Sequence, residues 1–459
     1  MKTDTIAAIA TAMAGSGIGI VRISGEEAVS ITDQIFHMPG GKKLSDMETH
    51  TIHYGHIRDG EEVIDEVMVL LMRGPRSYTR EDTVEIDCHG GVYVMKRILE
   101  TVIKYGARSA EPGEFTKRAF LNGRIDLSQA ESVIDVISAK NEFALKSSMK
   151  QLSGAVSDAV KEIRGEILHE IAFIESALDD PEHISLDGYG ERLELTIEGA
   201  VDRIEKLLAS SDNGRILKEG ISTVIVGKPN AGKSSLLNTL LGEERAIVTE
   251  IAGTTRDVLE EQINLNGIIL NIIDTAGIRD TDDIVEKIGV DKARKYVKDA
   301  DLILYVVDAS TNLDENDGEI MELLHGRRTI VLLNKSDLTP LTTAEDIRVH
   351  VDKDCPVISI SAREQKGIDV FTEQIRKMFF RGEVTFNDEV YITNIRHKTA
   401  LQEALSSLHL VEQSIADGMP EDFYSIDLMN AYEVLGTIIG EAVEDDLVNE
   451  IFSKFCLGK

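Results

Sequence analysis

The sequence predicts a protein of several domains, of mixed α/β and α class, and three observations support that prediction. Residues 1–120 combine short β-rich runs with one helix near 91–104, which is typical of an α+β domain. Residues 218–380 alternate strands and helices, as an α/β domain does. Helical spacing fills the two flanking segments, 121–217 and 381–459. The simplest interpretation is one helical bundle that is discontinuous in sequence, with the α/β domain inserted into it.

Apolar residues at spacings of three and four predict the helices of this bundle. They are Ile163, Ile167, Ile171, Ile174 and Leu178; Ile197, Val201, Ile204 and Leu208; and, after the insertion, Leu401, Leu405 and Leu408, then Leu428, Tyr432, Leu435 and Ile439, and finally Leu447, Ile451 and Phe455. Because such stripes form a core more often than a partner interface, they indicate the bundle and nothing further.

The composition, with 42% hydrophobic and 28% charged residues, is that of an ordinary soluble globular protein. No apolar run reaches the ~18 residues of a membrane span. Residues 1–10 faintly imitate a signal peptide, but Asp4 interrupts the apolar core that such a peptide needs, so a first strand is expected there.

The cysteines and the charge indicate the compartment and limit the partners. Cys88, Cys355 and Cys456 are scattered without metal-ligand spacing, which suits a reducing cytosol, and the first two are expected to be buried small hydrophobes. We therefore expect a cytoplasmic protein without membrane association. The net charge of −32 argues against a broad nucleic-acid-binding surface. An RNA partner would need a local basic patch or a second protein that supplies positive charge.

Residues 227–234, Gly-Lys-Pro-Asn-Ala-Gly-Lys-Ser, form a complete phosphate-binding motif. An apolar strand over 221–226 precedes the motif and a helix follows it, which is the context that the motif requires. Lys233 is expected to reach the β- and γ-phosphates, and the Ser234 hydroxyl to bind Mg²⁺. The nucleotide contacts expected from this loop are Asn230, Ala231, Gly232, Lys233, Ser234 and Ser235.

Further motifs in the same segment predict a guanine nucleotide site in a P-loop, Ras-like G domain. Asp274 and Gly277 end an apolar strand in an Asp-x-x-Gly pattern that serves Mg²⁺ and the γ-phosphate. Asp337 ends an Asn-Lys-Ser-Asp motif, and its carboxylate can accept hydrogen bonds from guanine N1–H and N2, which adenine cannot offer. The remaining expected GTP contacts are Thr249, Glu250, Ile251, Ala252, Gly253, Thr254, Thr255, Thr275, Ala276, Asn334, Lys335, Ser336, Ser361, Ala362 and Arg363.

The segment also lacks the usual hydrolytic group. Ile278 follows Gly277 where Ras-like GTPases place a glutamine that orients the attacking water. A different arrangement is therefore expected, in which Asn230 could help to ligate a monovalent cation and an acidic residue of 280–286 could position the water. A solvent-facing carboxylate is the plainer interpretation of each of these acidic residues. Thr255 is the second expected Mg²⁺ ligand, and Arg256 is a further candidate catalytic residue.

The whole chain resembles the MnmE (TrmE) family of tRNA-modification GTPases. The resemblance includes Ile-Gly-Ile-Val-Arg-Ile-Ser at 18–24, the signature at 111–131 that begins Glu-Pro-Gly-Glu-Phe-Thr-Lys-Arg, and Phe-Cys-Leu-Gly-Lys at 455–459. It implies a cytoplasmic homodimer with an N-terminal folate-binding and dimerisation domain, a helical domain and an inserted G domain.

The resemblance also implies a reaction and its partners. Members work with the flavoprotein GidA (MnmG) to add a carboxymethylaminomethyl or aminomethyl group to C5 of the wobble uridine of certain tRNAs. A folate such as 5,10-methylenetetrahydrofolate is expected to supply the one-carbon unit. The GTPase is expected to be activated by K⁺ through pairing of G domains.

Site residues follow from the same resemblance, by matching motifs. It assigns K⁺ ligation to Asn230, Thr249, Ile251 and Thr254, catalysis to Glu286, and folate binding to Arg22, Glu81, Arg124 and Lys459. Cys456 is either a nucleophile or one-carbon relay beside the folate, or a packed cysteine of the tail.

Two other classes of function compete with this one. A ribosome-assembly GTPase would recruit rRNA, but the chain has no basic RNA-binding appendage and is strongly acidic. A dynamin-like scaffold would need an amphipathic basic membrane helix, and the sequence contains none.

Overall fold

The computed structural model describes residues 4–243, 261–273, 300–380, 391–441, 443, 445–455 and 458. The chain forms two compact units. The first comprises Met1–Ser138, Ser148–Ile204 and Thr399–Lys459, and the second comprises Ala139–Ser147 and Glu205–Lys398. The second unit therefore interrupts the first in sequence, which agrees with the predicted insertion into a discontinuous bundle. The predicted domain boundaries at residues 120, 217 and 380 stay predictions.

The first unit begins with a mixed sheet, and the first strand predicted near the N-terminus is confirmed. Its strands are β1 (Ile6–Ile9), β2 (Ile18–Ser24), β3 (Phe36–His37), β4 (Thr51–Asp59), β5 (Glu62–Met72), β6 (Thr83–His89) and β7 (Arg108–Ser109). Their order is β3-β4-β5-β6-β2-β1-β7, and only the β1–β7 pair is parallel. Helices α1 (Ala28–Ile35) and α2 (Val92–Lys104) share one apolar core with alternate strand residues. Cys88 lies buried in that core, as expected.

The rest of the first unit is helical. Its helices are α3 (Glu114–Leu121), α4 (Leu127–Ser138), α6 (Ala155–Asp179), α13 (Glu421–Ile439) and α14 (Asp445–Ser453), with most of α12 (Ile395–Ala416) and about half of α5 (Glu142–Leu152) and of α7 (Tyr189–Glu219). Among the residues described, no helix is long and apolar enough to cross a membrane.

A buried arginine joins α6 to α13. The Arg164 guanidinium donates to the Tyr432 carbonyl at 3.0 Å and to Glu441 Oε2 at 2.6 Å, and it lies 4.0 Å from the centroid of the Tyr432 ring. A Cβ atom at Gly436 would lie 2.9 Å from its terminal nitrogen. Glycine at this position therefore leaves the space that the arginine fills.

The apolar stripes predict most of the core, although Val201, Leu208, Leu405 and Tyr432 are only half-buried. Ile163, Ile167, Ile171 and Ile174 are at most 2% exposed, whereas Leu178, at the end of α6, is 48% exposed. At the C-terminus the structure buries Val448, Phe452 and Phe455, while Leu447 and Ile451 are half-buried. The reason is that α14 ends at Ser453, so counting helical spacing back from Phe455 gives the wrong face of the helix.

The second unit is built on a six-stranded sheet. Its strands are β8 (Ile221–Val226), β9 (Glu261–Leu265), β10 (Ile268–Ile272), β11 (Leu302–Asp308), β12 (Thr329–Asn334) and β13 (Val357–Ser359), in the order β13-β12-β11-β8-β10-β9. All neighbouring strands are parallel except β9 and β10. Parallel strands bring their carboxyl ends to one edge, where ligands of α/β folds bind.

Helices of the second unit pack against both faces of this sheet. They are α8 (Lys233–Glu243), α9 (Glu315–Leu324), α10 (Ala344–Arg348) and α11 (Ile368–Phe380). Successive strand residues belong to different apolar clusters: Leu304 packs in the cluster that includes α8 and α11, and Tyr305 in the one that includes α9 and α10. Burial on both faces explains why these strands read as continuous apolar runs.

Strand β9 was not predicted from the sequence. It forms a hairpin with β10 through Asn266 and Gly267, whose φ angles are 51° and 89°. Asn-Gly between alternating apolar residues is a strong signal for such a turn, so this hairpin could have been predicted.

The segments near residues 210 and 392, at the two ends of the longer piece of the second unit, lie close together in space. The backbone N–H of Ile392 donates to Ser210 Oγ at 3.1 Å, and a Cβ atom at Gly214 would lie 2.3 Å from the Ile392 carbonyl oxygen. The beginning and the end of the longer piece of the insertion, 205–398, are therefore in direct contact.

Candidate functional site

The phosphate-binding motif lies where β8 meets α8. Gly227, Asn230 and Gly232 have positive φ angles of 151°, 62° and 97°. A Cβ atom at Gly232 would lie 2.1 Å from Asn334 Nδ2, and one at Gly227 would lie 2.3 Å from the Val306 carbonyl oxygen. Glycine thus lets the loop approach the ends of β11 and β12. A turn of this kind before a helix N-terminus presents successive N–H groups that can bind an anion.

Lys233 folds back over this loop. Its Nζ donates to the carbonyl oxygens of Gly227 and Lys228, both at 2.7 Å. Burial lowers the pKa of Lys233. A phosphate beside the ammonium would oppose that shift, because an opposite charge favours the charged form. The position of Lys233 therefore suits a lysine that binds phosphate oxygens.

Asn334 ties the phosphate loop to the predicted base-binding loops. It is 2% exposed at the end of β12. Its Nδ2 donates to the Ala231 carbonyl at 3.0 Å, and its Oδ1 accepts the Ala362 N–H at 3.1 Å. One buried side chain therefore fixes the spacing between the expected phosphate and guanine ends of the site.

The Asp337 side chain is favoured in its ionised form, which accepts hydrogen bonds. Its Oδ1 accepts a hydrogen bond from Ser361 Oγ at 2.6 Å, and this bond is the main reason that the pKa of Asp337 is lowered. The rest of the side chain is exposed. An ionised, oriented and accessible carboxylate can accept two hydrogen bonds from one edge of a guanine base.

The neighbouring predicted residues lie at the same edge of the sheet. Lys335 has a φ of 64°, and its Nζ lies 2.5 Å from Asp308 Oδ2. The Ser336 N–H donates to the Ile360 carbonyl at 3.0 Å, and Arg363 is exposed directly after Ala362.

Many predicted residues lie outside the described part of the chain. They are Thr249, Glu250, Ile251, Ala252, Gly253, Thr254, Thr255, Arg256, Asp274, Thr275, Ala276, Gly277, Glu286, Cys456 and Lys459. The assignments of Thr255 to Mg²⁺ and of Glu286 to hydrolysis, among others, therefore depend on the sequence alone.

Three residues of this site were missed by the sequence analysis. Asp308 pairs with Lys335, Thr239 Oγ1 donates to the Ala362 carbonyl at 2.7 Å, and Lys228 pairs with carboxylates of α9. Asp308 could have been found, because a polar residue that ends an apolar parallel strand lies at the ligand-binding edge.

Arg22, one of the predicted folate-binding residues, contacts the C-terminal tail. Its Nε donates to Glu85 Oε1 at 2.6 Å, and its terminal nitrogen donates to the Gly458 carbonyl at 3.0 Å. Gly458 has a φ of 88°, and a Cβ atom there would lie 2.5 Å from the Ile9 carbonyl oxygen. Gly458, the described residue of the tail, therefore packs closely against the end of β1.

Glu81 is oriented by two side chains. Its Oε2 accepts from Ser24 Oγ at 2.8 Å, and both of its carboxylate oxygens accept from Arg118 at 3.1 and 3.2 Å. Arg118 is 8% exposed and also pairs with Glu114 at 3.0 Å. Arg118 was not predicted, because nothing in its local sequence indicates a contact with Glu81.

Arg124 stacks on an aromatic ring. Its guanidinium lies 4.6 Å from the centroid of the Tyr78 ring, and the Tyr78 hydroxyl is 2.9 Å from Thr116 Oγ1. The structure thus places three arginines, several carboxylates and an aromatic ring in this part of the first unit. Such groups suit a ligand with an anionic tail and a ring that carries hydrogen-bond donors.

Comparisons with known proteins identify the family. A family model described as MnmE helical domain matches residues 127–456, and one described as GTP-binding protein TrmE N-terminus matches residues 5–124. The chain is 61% identical over 460 residues to the tRNA modification GTPase MnmE of Lachnoclostridium phytofermentans, with 100% of each chain covered. The chain belongs to the MnmE family.

Other MnmE relatives match over nearly the full length. The tRNA modification GTPase MnmE of Clostridioides difficile is 50% identical over 460 residues, covering 99% of each chain. That of Bacillus subtilis is 48% identical over 459 residues, covering 99% of this chain and 100% of the relative. The resemblance to the MnmE family inferred from the sequence is therefore confirmed.

Proposed function

We propose that this protein is a cytoplasmic GTPase that acts in tRNA modification, and that the loop edge of the second unit is its GTP site. The observation that carries the choice of GTP is the pairing of Asp337 with Ser361, which leaves an oriented carboxylate at the base end. Asn334 joins that end to the phosphate loop. The full-length MnmE relatives support the role in tRNA modification.

The residues around the phosphates fit a magnesium ion. Ser234 lies next to Lys233 at the start of α8, and hydroxyl oxygens such as those of Ser234 and Thr255 are hard ligands of the kind that Mg²⁺ takes. The ion would neutralise charge on the phosphate oxygens. Lys233 and the loop N–H groups would hold the same phosphates from the protein side.

Potassium is the proposed activator of hydrolysis. Asn230 is exposed at the tip of the loop, and its side-chain carbonyl is an oxygen donor suited to a cation. Thr249, Ile251 and Thr254 would complete the ligand set. In this arrangement the cation would supply positive charge near the phosphates, and Glu286 would position the water that Ile278 cannot bind.

Replacing Na⁺ by K⁺ at constant ionic strength is expected to raise the GTP turnover of the full-length protein severalfold. The Asn230→Ala variant, which removes the side-chain ligand, should lose most of that difference while it still binds GTP. Steady-state phosphate release in the two salts measures the effect. Equal rates in Na⁺ and K⁺ for the unmodified protein would contradict the cation mechanism.

A homodimer through the first unit is supported by an exposed face of its sheet. One row of paired residues, Ile20, Asp87, Met68 and Tyr54, crosses β2, β6, β5 and β4. Tyr54 and Met68 are each 49% exposed, and the neighbouring Ile52 is 58% exposed. Apolar side chains clustered on a sheet face are typical of an interface between protein chains.

The modification reaction is proposed to use a folate in the first unit and GidA (MnmG) as a partner. Arg22, Arg124 and Lys459 would attract the glutamate tail, and Glu81 would accept hydrogen bonds from the pterin. The acidic chain, with net charge −32, leaves tRNA binding to a local basic patch or to the flavoprotein. The product would be the carboxymethylaminomethyl or aminomethyl group at C5 of the wobble uridine.

Loss of this protein from cells is expected to remove the C5 modification from wobble uridines. Nucleoside analysis of total tRNA by mass spectrometry measures it, and re-expression of the intact chain should restore the modified nucleoside. An unchanged nucleoside profile would instead favour a ribosome-assembly GTPase, whose loss would change ribosome profiles.

A further inference from the structure

The second residue of the phosphate loop, Lys228, makes contacts that GTP binding does not explain. Its Nζ lies 2.6 Å from Asp317 Oδ2 and 2.9 Å from Asp314 Oδ2. Asp317 is 1% exposed, and the hydroxyl of the buried Tyr305 donates to its other oxygen at 2.8 Å. The Lys228 ammonium therefore lies between a buried carboxylate, that of Asp317, and an exposed one, that of Asp314.

The two carboxylates belong to the start of α9. Asp314 is the N-cap of this helix, and Asp314 and Asp317 form a reciprocal capping box. A lysine ammonium alone is unfavourable at a helix N-terminus, where the helix dipole is positive. Two carboxylates reverse the sign of the local charge and make this end of α9 an anchoring point for a cation.

The charge balance keeps this anchor ionised. Burial opposes the charged form of Lys228, but its hydrogen bonds with Asp317 and Asp314 outweigh burial and raise the pKa of Lys228. The hydrogen bond with the buried Asp317 holds its geometry more firmly than an exposed one would, because water does not compete for it.

The backbone of the same residue contacts the phosphate-binding lysine. The Lys228 carbonyl accepts a hydrogen bond from Lys233 Nζ at 2.7 Å and one from the Ala231 N–H at 3.3 Å. The side chain of Lys228 is thus fixed to α9 while its carbonyl orients Lys233. The contact joins parts of the chain that are 86 residues apart.

We propose that Lys228 is a positioning residue of the nucleotide site, which anchors the phosphate loop on the N-terminus of α9 and so orients Lys233. The inference rests on the proposed GTP site. It implies that nucleotide affinity depends on a contact that does not touch the nucleotide.

The experiment separates affinity from stability in the full-length protein. Lys228→Met is expected to weaken binding of a fluorescent GDP about tenfold, which corresponds to about 1.4 kcal/mol. It should also lower the melting temperature by several degrees, because it leaves the buried Asp317 charge unpaired. Lys228→Arg keeps the ion pair and should restore most of the affinity.

A double variant distinguishes positioning from a structural role. Lys228→Met combined with Asp317→Asn removes the unpaired charge, so the melting temperature should recover while GDP affinity stays about tenfold weaker. Arg215→Met is a matched control, since it breaks a pair with Asp301 at the opposite end of β11 and should leave GDP affinity unchanged.

Two results would overturn the inference: GDP affinity of Lys228→Met equal to that of the unmodified protein, or affinity that recovers together with stability in the double variant. If the unmodified protein itself fails to bind guanine nucleotide, that result contradicts the proposed GTP site, and the proposed role of Lys228, which depends on that site, is contradicted as well.

Discussion

Asp337→Asn is expected to weaken GTP binding about 100- to 10,000-fold, because two hydrogen bonds to a carboxylate are worth about 1.5–3 kcal/mol each. The same variant should gain affinity for xanthosine triphosphate, whose ring carries an oxygen in place of the guanine amino group and can accept from an amide. The Ser361 hydroxyl, which donates to Asp337 at 2.6 Å, can still hold the amide oxygen in place.

Competition between the two nucleotides for a fluorescent analogue measures this change. Asp352→Asn is the matched control, because Asp352 is an exposed carboxylate of the same unit that pairs with His325, and it should leave the preference for GTP intact. If Asp337→Asn keeps the preference of the unmodified protein, the base is recognised elsewhere.

Glu286→Ala is expected to retain GTP binding and to lower the rate of hydrolysis about 100- to 10,000-fold, the range typical of losing a group that activates or transfers a proton in the transition state. Ile278 has no polar group to orient the attacking water, so that task needs another side chain. A carboxylate can accept a hydrogen bond from water and align it with the γ-phosphate.

Single-turnover hydrolysis in K⁺ measures this effect, with GTP affinity measured in parallel. Asp283→Ala, in the same acidic segment, is the matched control and should hydrolyse GTP at nearly the unmodified rate. Equal rates for Glu286→Ala and Asp283→Ala would contradict the catalytic role and would indicate that Glu286 is an ordinary carboxylate in solvent.

Local pattern predicts much of this fold and part of the nucleotide site. The strand predicted at 221–226 is β8. Polar residues at and after the ends of β12 and β13 contact one another at the sheet edge, where Asn334 binds Ala362 and Ser361 binds Asp337. These features can be predicted from the sequence because an apolar run, a turn and a short motif each involve only neighbouring residues.

Contacts between distant segments could not be predicted in the same way. Lys228 contacts Asp314, 86 residues away in sequence, and Arg118 contacts Glu81, 37 residues away. The local sequence around each of these residues predicts only a charged side chain in solvent. Burial decides their roles, and burial depends on the assembled fold. The exposed Leu178 shows the reverse case, in which an apolar residue continues a stripe beyond the core.

The contact of Ile392 with Ser210 has a consequence for how such a protein can be built and rebuilt. A module whose two ends touch can be cut out of a gene, or transplanted into another host protein, without stretching either chain. A short peptide across the gap would close the host again, and the same peptide could join the ends of the excised module. The longer piece of the inserted unit, 205–398, therefore has the connections of a transplantable module.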